Sequence, residues 1–356
     1  MRKPAAVALV LLLAGFLNIA RGLDHPGGDY RPWALHHASY SDLLALGGDR
    51  YLAGDHPVPY VDDRIEYPVV LGFLLWLPSF APGGQFGFFL LSSLFLAACL
   101  LAALAALRRI PGTNVWLLAA APALATYGLL NWDLVGIALL LGALALDRGS
   151  LLGLGVATKL FPAAGLPALA GRKWVPAAAV AIAVNLPLAI VARDNWWWFF
   201  RFNSRRPPDF SIWNALHVTS VGVVNVLSLG VVAVAMLLAL RAPSRLHGVA
   251  FVIAVWMTVN KVSSPQYSLW VFAAAALVSA PWRIWWALVL ASMFDFVCEL
   301  WLYSRHSLTL SSVVLVMVVV RTAATAWFAW WCWRRLTATP PATATARRAD
   351  QPRFAT

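Results

Sequence analysis

The sequence contains few charged residues and few cysteines. Only 12% of its 356 residues are charged, whereas soluble domains carry about 25%. The three cysteines, Cys99, Cys298 and Cys332, all lie in apolar stretches, so we expect buried thiols and no disulfide framework. These shortages exclude a soluble enzyme, a nucleic-acid-binding domain, a fibre and a disulfide-stabilised scaffold.

Apolar residues make up most of the chain. They account for 61% of it, and the mean hydropathy is +0.73. At about 20 residues per span, this content is enough for about 10–12 transmembrane helices. The net charge of +12 comes from basic residues scattered at the ends of apolar runs, which is typical of short cytoplasmic loops. The sequence therefore predicts an all-α polytopic membrane protein.

The positions of the basic residues predict the topology. Residues 5–20 form the first predicted span. Tyr67–Phe80 is short and interrupted by prolines, which favours a re-entrant segment. Treating it as non-spanning places Arg108 and Arg109 in the cytoplasm and gives about twelve crossings with both termini cytoplasmic. The later predicted crossings are 85–107, 115–130, 134–146, the short pair 151–158 and 161–170, 174–191, 218–240, 248–259, 268–280, 284–303 and 308–333.

This topology predicts one transmembrane domain over residues 1–336. Residues 337–356 then form a disordered cytoplasmic tail. The domain has two long outward loops, 21–66 and 193–217. Loops of this length with aromatic content usually pack and carry function.

The outward loop 21–66 is acidic. It holds eight of the 15 acidic residues of the chain, and a solvated acidic loop is the alternative interpretation for most of them individually. They are Asp24, Asp29, Asp42, Asp49, Asp55, Asp62, Asp63 and Glu66. Asp42 differs from the others because it leads into an apolar helical stretch.

The outward loop 193–217 is rich in arginine. Arg193, Arg201, Arg205 and Arg206 face only two acidic residues there, against the positive-inside trend. Arginine captures phosphate oxygens in a bidentate manner, and the preceding aromatic run 196–200 is suited to the lipid headgroup level. We expect a lipid-phosphate site; simple binding of anionic headgroups is the alternative.

Further charges lie at or within the apolar segments. Lys159 and Lys261 lie at predicted outward ends, where a snorkelling lysine is the alternative interpretation. Asp295 and Glu299 share one helix face. Arg321 falls near the middle of the last predicted span, where an unpaired charge is costly, so we expect a structural pair with Asp295.

Several motifs follow one another in a recognisable order. They are Ser41–Leu43 with Gly47–Tyr51, Pro59-Tyr60, Glu66-Tyr67-Pro68, Asn131–Leu134, Gly155–Pro162 and Lys261–Tyr267. In this order the chain resembles the GT-C superfamily of polyprenyl-phosphate-sugar glycosyltransferases, and most closely glycosyltransferase family 87, the polyprenol-phosphate-mannose-dependent α-mannosyltransferases. The similarity covers roughly residues 5–280. The chain departs from the family pattern at Val69, where members commonly carry a second proline.

The resemblance implies a role for each motif residue. Asp42 would be the catalytic base of an inverting transfer. The departing donor phosphate would be bound by Lys159, Arg201, Arg205, Arg206 and Lys261. The sugar or acceptor would be bound by Glu66, Tyr67, Asp133, Gln266 and Tyr267. The resemblance implies neither a metal nor another cofactor.

The expected function is therefore transfer of a hexose, mannose in the first instance. The expected partners are a polyprenyl-phosphate-sugar donor, a glycolipid or glycan acceptor and membrane lipids, at the outer face of the cytoplasmic membrane. A polytopic transporter or lipid flippase is the alternative, although transporters place their charged features near the bilayer midplane. A non-catalytic membrane scaffold is the second alternative.

Overall fold

The computed structural model describes residues 2–25, 30–51, 54–169, 171–299 and 312–336, and these residues form an all-helical protein. Apart from two isolated bridges, Pro59 with Asp63 and Asp209 with Val262, the described residues contain no β-pairing. The α-helices are α1 (Arg2–Ala20), α2 (Tyr30–His36), α3 (Asp42–Tyr51), α4 (Val69–Trp76), α5 (Gly84–Arg109), α6 (Trp116–Ala119), α7 (Ala123–Tyr127), α8 (Asp133–Leu146), α9 (Gly149–Thr158), α10 (Trp174–Val191), α11 (Arg193–Arg205), α12 (Ile212–Ala215), α13 (Val221–Arg241), α14 (Arg245–Val259), α15 (Ser268–Leu277), α16 (Trp282–Phe296) and α17 (Ser312–Leu336).

Five helices of the described part are long and apolar enough to cross a membrane. They are α1, α5, α10, α13 and α17. At about 1.5 Å per residue, helices of this length approach the thickness of the hydrocarbon core. Three of them carry arginine in their last turn, namely α5, α13 and α17. The chain is therefore a helical membrane protein, as its composition predicted.

The expected number of about twelve crossings is not confirmed. Several predicted crossings form shorter apolar helices, such as α8, α9 and α14. The predicted crossing 115–130 consists of the two short helices α6 and α7. Pro122 stands between them and has no N–H group to continue the first helix. Of the other predictions, Asp29, the tail 337–356 and the ends of the last two predicted crossings lie outside the described residues.

The segment expected to be re-entrant is short in the structure. Helix α4 begins after Pro68 and continues into a single 3₁₀ turn, Leu77–Phe80. It packs against α3, α9 and α10. Its membrane depth and sidedness remain predictions.

The described residues of the loop 21–66 are packed against the rest of the molecule. The loop contains a 3₁₀ turn, Arg21–Asp24, and the helices α2 and α3. Tyr30, Tyr51 and Tyr60 of this loop are buried in the same core as the long helices. This confirms the expectation that its aromatic content is used for packing.

The central packing brings the predicted motifs to one region. Helix α8 packs between α5 and α9, and α14 packs against α13, α15 and α17. Helix α15 is buried from Leu269 to Leu277. The 3₁₀ turn Pro265–Tyr267, which precedes α15, contacts α7 and α16. The segment that precedes α8 and the segments that follow α9 and α14 carry the candidate site residues.

Candidate active site

Asp42 is held at the first position of α3 by two side chains. Its Oδ1 accepts a hydrogen bond from the Tyr40 hydroxyl at 2.9 Å, and its Oδ2 accepts one from Asn131 Nδ2 at 2.8 Å. The backbone N–H of Asp42 donates to the carbonyl of Leu130 at 2.8 Å. A carboxylate offers about four acceptor positions, so each oxygen keeps one for a further donor.

Burial raises the pKa of Asp42 above its ordinary value of 3.8. The hydrogen bonds from Asn131 and Tyr40 and the positive charge of Lys159 lower that pKa, while the negative charge of Asp133 raises it, and burial outweighs the rest. A carboxylate with a raised pKa is a better proton acceptor near neutral pH.

For the transfer reaction and the role of Asp42 that the resemblance implies, we expect this raised pKa to determine the acid limb of the activity profile. A general base works only when deprotonated, so kcat/KM falls as the pH drops through the pKa of Asp42 in the folded protein. That midpoint lies above 3.8. The measurement is the kcat/KM of the purified protein between about pH 4 and pH 8. A profile that is flat down to the ordinary aspartate pKa would contradict the role of Asp42.

Tyr67 is the third member of this hydrogen-bonded group. Asn131 Nδ2 also lies 3.2 Å from the Tyr67 hydroxyl, so one amide connects the tyrosine with Asp42. The pKa of Tyr67 is raised well above its ordinary value, first by burial and then by the negative charges of Asp42 and Glu66. The hydroxyl of Tyr67 is therefore neutral and available as a hydrogen-bond donor.

Asp133 and Lys159 form a buried ion pair. Lys159 Nζ lies 2.8 Å from Asp133 Oδ2, and Trp270 Nε1 donates to Asp133 Oδ1 at 2.7 Å. Gly136 makes this arrangement possible, because a Cβ at that position would lie 2.7 Å from the Trp270 ring. The structure thus brings together two predicted residues, but with Lys159 paired to a carboxylate.

Tyr267 lies within electrostatic reach of both Asp133 and Asp42. The pKa of Tyr267 is raised above its ordinary value, first by burial and then by the negative charges of Asp133 and Asp42. The positive charge of Arg206 opposes this increase but does not cancel it. The ring of Phe161 contacts both the Tyr267 ring, at 4.9 Å, and the Trp270 ring, at 5.3 Å. The neighbouring Gln266 is buried and accepts a hydrogen bond from Ser264.

Lys261, which follows α14, and Arg206, which follows α11, are two positively charged residues close to each other. Lys261 Nζ donates to the carbonyl of Asn203 at 2.6 Å and to Asn225 Oδ1 at 2.7 Å. Among the described residues, no carboxylate forms an ion pair with Lys261. Its pKa is lowered by burial and by the positive charge of Arg206, which itself pairs with Asp209 at 3.0 Å. An anion placed here would relieve the repulsion between the two cations.

The other two predicted arginines point elsewhere. Arg201 and Arg205 are exposed. Arg201 follows Trp198 by three residues and Arg205 follows Arg201 by four, which places all three side chains on one face of α11. Arg64 lies over the Trp198 ring at 5.3 Å. The structure therefore groups Arg201 and Arg205 with an outer surface and does not bring them to the Asp42 group.

Glu66 is also committed to a partner. Its Oε2 accepts a hydrogen bond from Arg50 at 2.7 Å, and Asp63 lies 3.8 Å from the same guanidinium. Glu66 therefore stabilises the turn before α4, within electrostatic reach of Tyr67.

The acidic loop and the arginine-rich loop meet in the structure. Asn203 Nδ2 donates to the carbonyl of Glu66 at 3.2 Å, and Asn195 Nδ2 donates to the carbonyl of Val61 at 3.2 Å. The contact between Arg64 and Trp198 joins the same two loops. Both loops therefore lie on one side of the molecule.

An apolar groove of about 170 Å³ borders this site. Its lining comes from α9, α10, α11 and the start of α4. Trp196, Phe199 and Phe200 form the α11 wall, and Tyr67 lines the groove from the Asp42 side. Leu160, also in the lining, directly follows Lys159. The groove is therefore mainly apolar, and its hydrogen-bonding side chains include Tyr67 and Asn185.

Metal ligation has no ready candidate in the described ranges, where no group of three or more His, Cys, Asp or Glu side chains is close enough to hold an ion. The acidic residues of this region are instead used singly, each with hydrogen-bond donors or cations.

Sequence reasoning did not assign roles to Tyr40, Asn131, Trp270 or Asn225. The first two stand two residues before Asp42 and Asp133, so a search for hydrogen-bond donors close to each carboxylate could have found them. Trp270 and Asn225 contact residues that are 137 and 36 positions away. No local pattern identifies them.

Comparison of the chain with family models, with curated proteins and with solved structures finds no match. The assignment of a function therefore rests on the site itself.

Proposed function

We propose that this protein is a membrane glycosyltransferase that moves a sugar, mannose in the first instance, from a polyprenyl-phosphate donor to a hydroxyl group of a lipid or glycan acceptor. The observation that carries the proposal is the combination around Asp42. A carboxylate with a raised pKa lies within electrostatic reach of Lys159, beside an apolar groove that Tyr67 shares with α10 and α11.

The chemistry needs one proton acceptor. The acceptor hydroxyl gives its proton to Asp42, and its oxygen forms a bond with the anomeric carbon of the donor sugar. The bond between that carbon and the phosphate oxygen breaks, and the electron pair leaves with the polyprenyl phosphate. Attack opposite the departing group inverts the anomeric configuration. The leaving group is already a phosphate, so no strong acid is required.

Two cations can stabilise the negative charge that develops on the departing phosphate. Within the part of the chain that the structure describes, the hydrogen-bond partners of Lys261 are all neutral acceptors, and Arg206 adds a second positive charge close to it. Cations aimed at a leaving phosphate stabilise the charge that develops in the transition state. The buried pair of Asp133 and Lys159 adds fixed charges within electrostatic reach of Asp42, and Asp133 also acts on Tyr267.

The apolar groove is the reason for proposing a lipid-linked donor. Helix α10 forms one of its walls, and only Ala177 and Leu188 of the 18 residues of α10 are buried. A long apolar chain can therefore reach the groove from the bilayer and place its phosphate at the Tyr67 end, beside the Asp42 group. A water-soluble sugar nucleotide would leave this apolar surface unused.

The direct test is a transfer assay with purified protein in detergent. Polyprenyl-phosphate-[¹⁴C]mannose is incubated with a panel of glycolipid acceptors, and labelled product is separated by chromatography. Transfer without a sealed compartment supports the proposal and excludes a pure transporter or flippase. Absence of transfer across a panel of sugars and acceptors, with movement of labelled lipid in sealed vesicles, would favour the transporter.

Arginine neighbours at the end of α11 provide a matched comparison. We expect Arg206→Gln to raise the donor KM about tenfold or more, because it removes a charged hydrogen-bond donor near Lys261. Arg205→Gln, one residue earlier and exposed, should leave the donor KM close to that of the wild type. The measurement is the steady-state donor dependence of transfer. Equal effects of the two substitutions would show that the arginines act only as a diffuse basic surface.

A further inference from the structure

Arg321 connects the membrane helices with the loop that carries the site cations. Its Nη1 donates to Asp295 Oδ1 at 2.7 Å and to Asp295 Oδ2 at 2.8 Å, and its Nη2 donates to the carbonyl of Phe210. The pair with Asp295 confirms the expectation from the sequence. The contact with Phe210, 111 residues earlier in the chain, was not expected.

Phe210 lies next to the backbone pairing that holds Lys261. The N–H of Asp209 donates to the carbonyl of Lys261 at 3.0 Å, and the N–H of Ser263 donates to the carbonyl of Asp209 at 2.9 Å. The side chain of Asp209 holds Arg206 at 3.0 Å. The carbonyl that Arg321 binds is thus one residue away from the contacts that fix both cations.

The backbone at Phe210 needs an external contact to stay in place. Its φ is +45°, in the left-handed region that non-glycine residues rarely adopt. Conformations of this kind persist where the surroundings over-determine them. The capping box of Ser211 and Asn214 begins directly after it and starts α12, so Arg321 fixes the turn between the bridge to Lys261 and this helix.

The side-chain chemistry explains why an arginine is used. Asp295 is fully buried, and Glu299 Oε2 lies 3.9 Å from the same Nη1. A planar guanidinium can serve carboxylate oxygens through one nitrogen and a carbonyl through the other, whereas the compact ammonium of a lysine cannot match that fork. Charge neutralisation alone would not require the second nitrogen to face Phe210.

We propose that Arg321 is a positioning residue, which orients the loop 206–211 so that Arg206 and Lys261 face the donor phosphate. As a statement about catalysis, this rests on the proposed function. As a statement about the loop, it can be tested without any substrate.

The test compares Arg321→Lys and Arg321→Gln with the wild type, and with Arg334→Gln as a control at the end of the same helix, where Arg334 lies over Trp330. Hydrogen exchange is measured in detergent at the backbone amides of residues 206, 209–211 and 259–264; Pro207 and Pro208 have no amide hydrogen. Loss of the contact with Phe210 should speed exchange there about tenfold, as expected for one lost hydrogen bond to a charged donor. Donor KM should rise by a similar factor, with the acid limb of the pH profile unchanged.

Arg321→Lys keeps a positive charge beside Asp295, so it separates folding from positioning if Arg321→Gln does not fold. Faster loop exchange in Arg321→Lys, with overall unfolding unchanged and Arg334→Gln like the wild type, supports the proposal. Unchanged exchange in Arg321→Lys would overturn it, since Arg321 would then only neutralise Asp295. If the wild type shows no transfer activity but the variants show this exchange pattern, the proposed function is refuted. The positioning of the loop by Arg321 is then still established.

Discussion

Asp42→Asn should lower kcat/KM for transfer by about 10²–10⁴-fold, the usual contribution of a positioned general base. The amide keeps the size and planarity of the carboxylate but cannot accept a proton. Because burial raises the pKa of Asp42, its ionised form costs folding free energy above that pKa. The free energy of unfolding at neutral pH should therefore stay close to that of the wild type.

The matched control is Asp55→Asn, the same chemical change in the same loop. Asp55 is exposed, so its substitution should change neither activity nor stability. Activity is measured as initial transfer rates at saturating and limiting donor, and folding by thermal unfolding in detergent. If Asp42→Asn is as active as Asp55→Asn, Asp42 is not the general base of the transfer.

Lys159→Met should destabilise the protein by about 3–5 kcal/mol, because it leaves a buried carboxylate without its counter-charge. Asp133 is fully buried, and the side chain of Lys159 is only 9% exposed. The remaining hydrogen bond from Trp270 does not neutralise Asp133. We expect the double variant Asp133→Asn/Lys159→Met to recover most of the lost stability, since neither partner is then charged.

Lys173→Met serves as the control for this prediction. Lys173 also pairs with an aspartate, Asp147, but the Asp147 side chain is 59% exposed, and surface ion pairs contribute about 0–1 kcal/mol. Chemical denaturation in mixed micelles gives the free energy of unfolding of each variant. A small loss of stability in Lys159→Met would contradict the conclusion that buried Asp133 depends on Lys159 as its counter-charge.

The sequence predicted the class of fold but not how each apolar segment is used. Composition alone identifies a helical membrane protein, because no soluble domain could cover so much apolar surface. The length of an apolar run does not distinguish a span from a short buried helix. This is why α15, buried from Leu269 to Leu277, and the broken segment around Pro122 were both expected to be crossings, which the structure does not confirm.

Charges in apolar surroundings were more predictable than charges on the surface. The pairing of Arg321 with Asp295 follows from the cost of a lone charge inside the membrane. The same argument applies to Lys159 and Asp133, although their pairing was not predicted. Arg205 and Arg206 differ in environment because α11 ends between them, and neither the end of a helix nor its rotation can be read from adjacent arginines.

The exposure of α10 has a kinetic consequence for any lipid ligand of the groove. A molecule that arrives along this helix diffuses in two dimensions and never leaves the bilayer, so its surface mole fraction determines occupancy. Adding inert phospholipid to the micelles at constant total ligand should then slow turnover by dilution, as happens with enzymes that work at interfaces. Apparent affinities for such ligands are comparable between preparations only when expressed per lipid, not per litre.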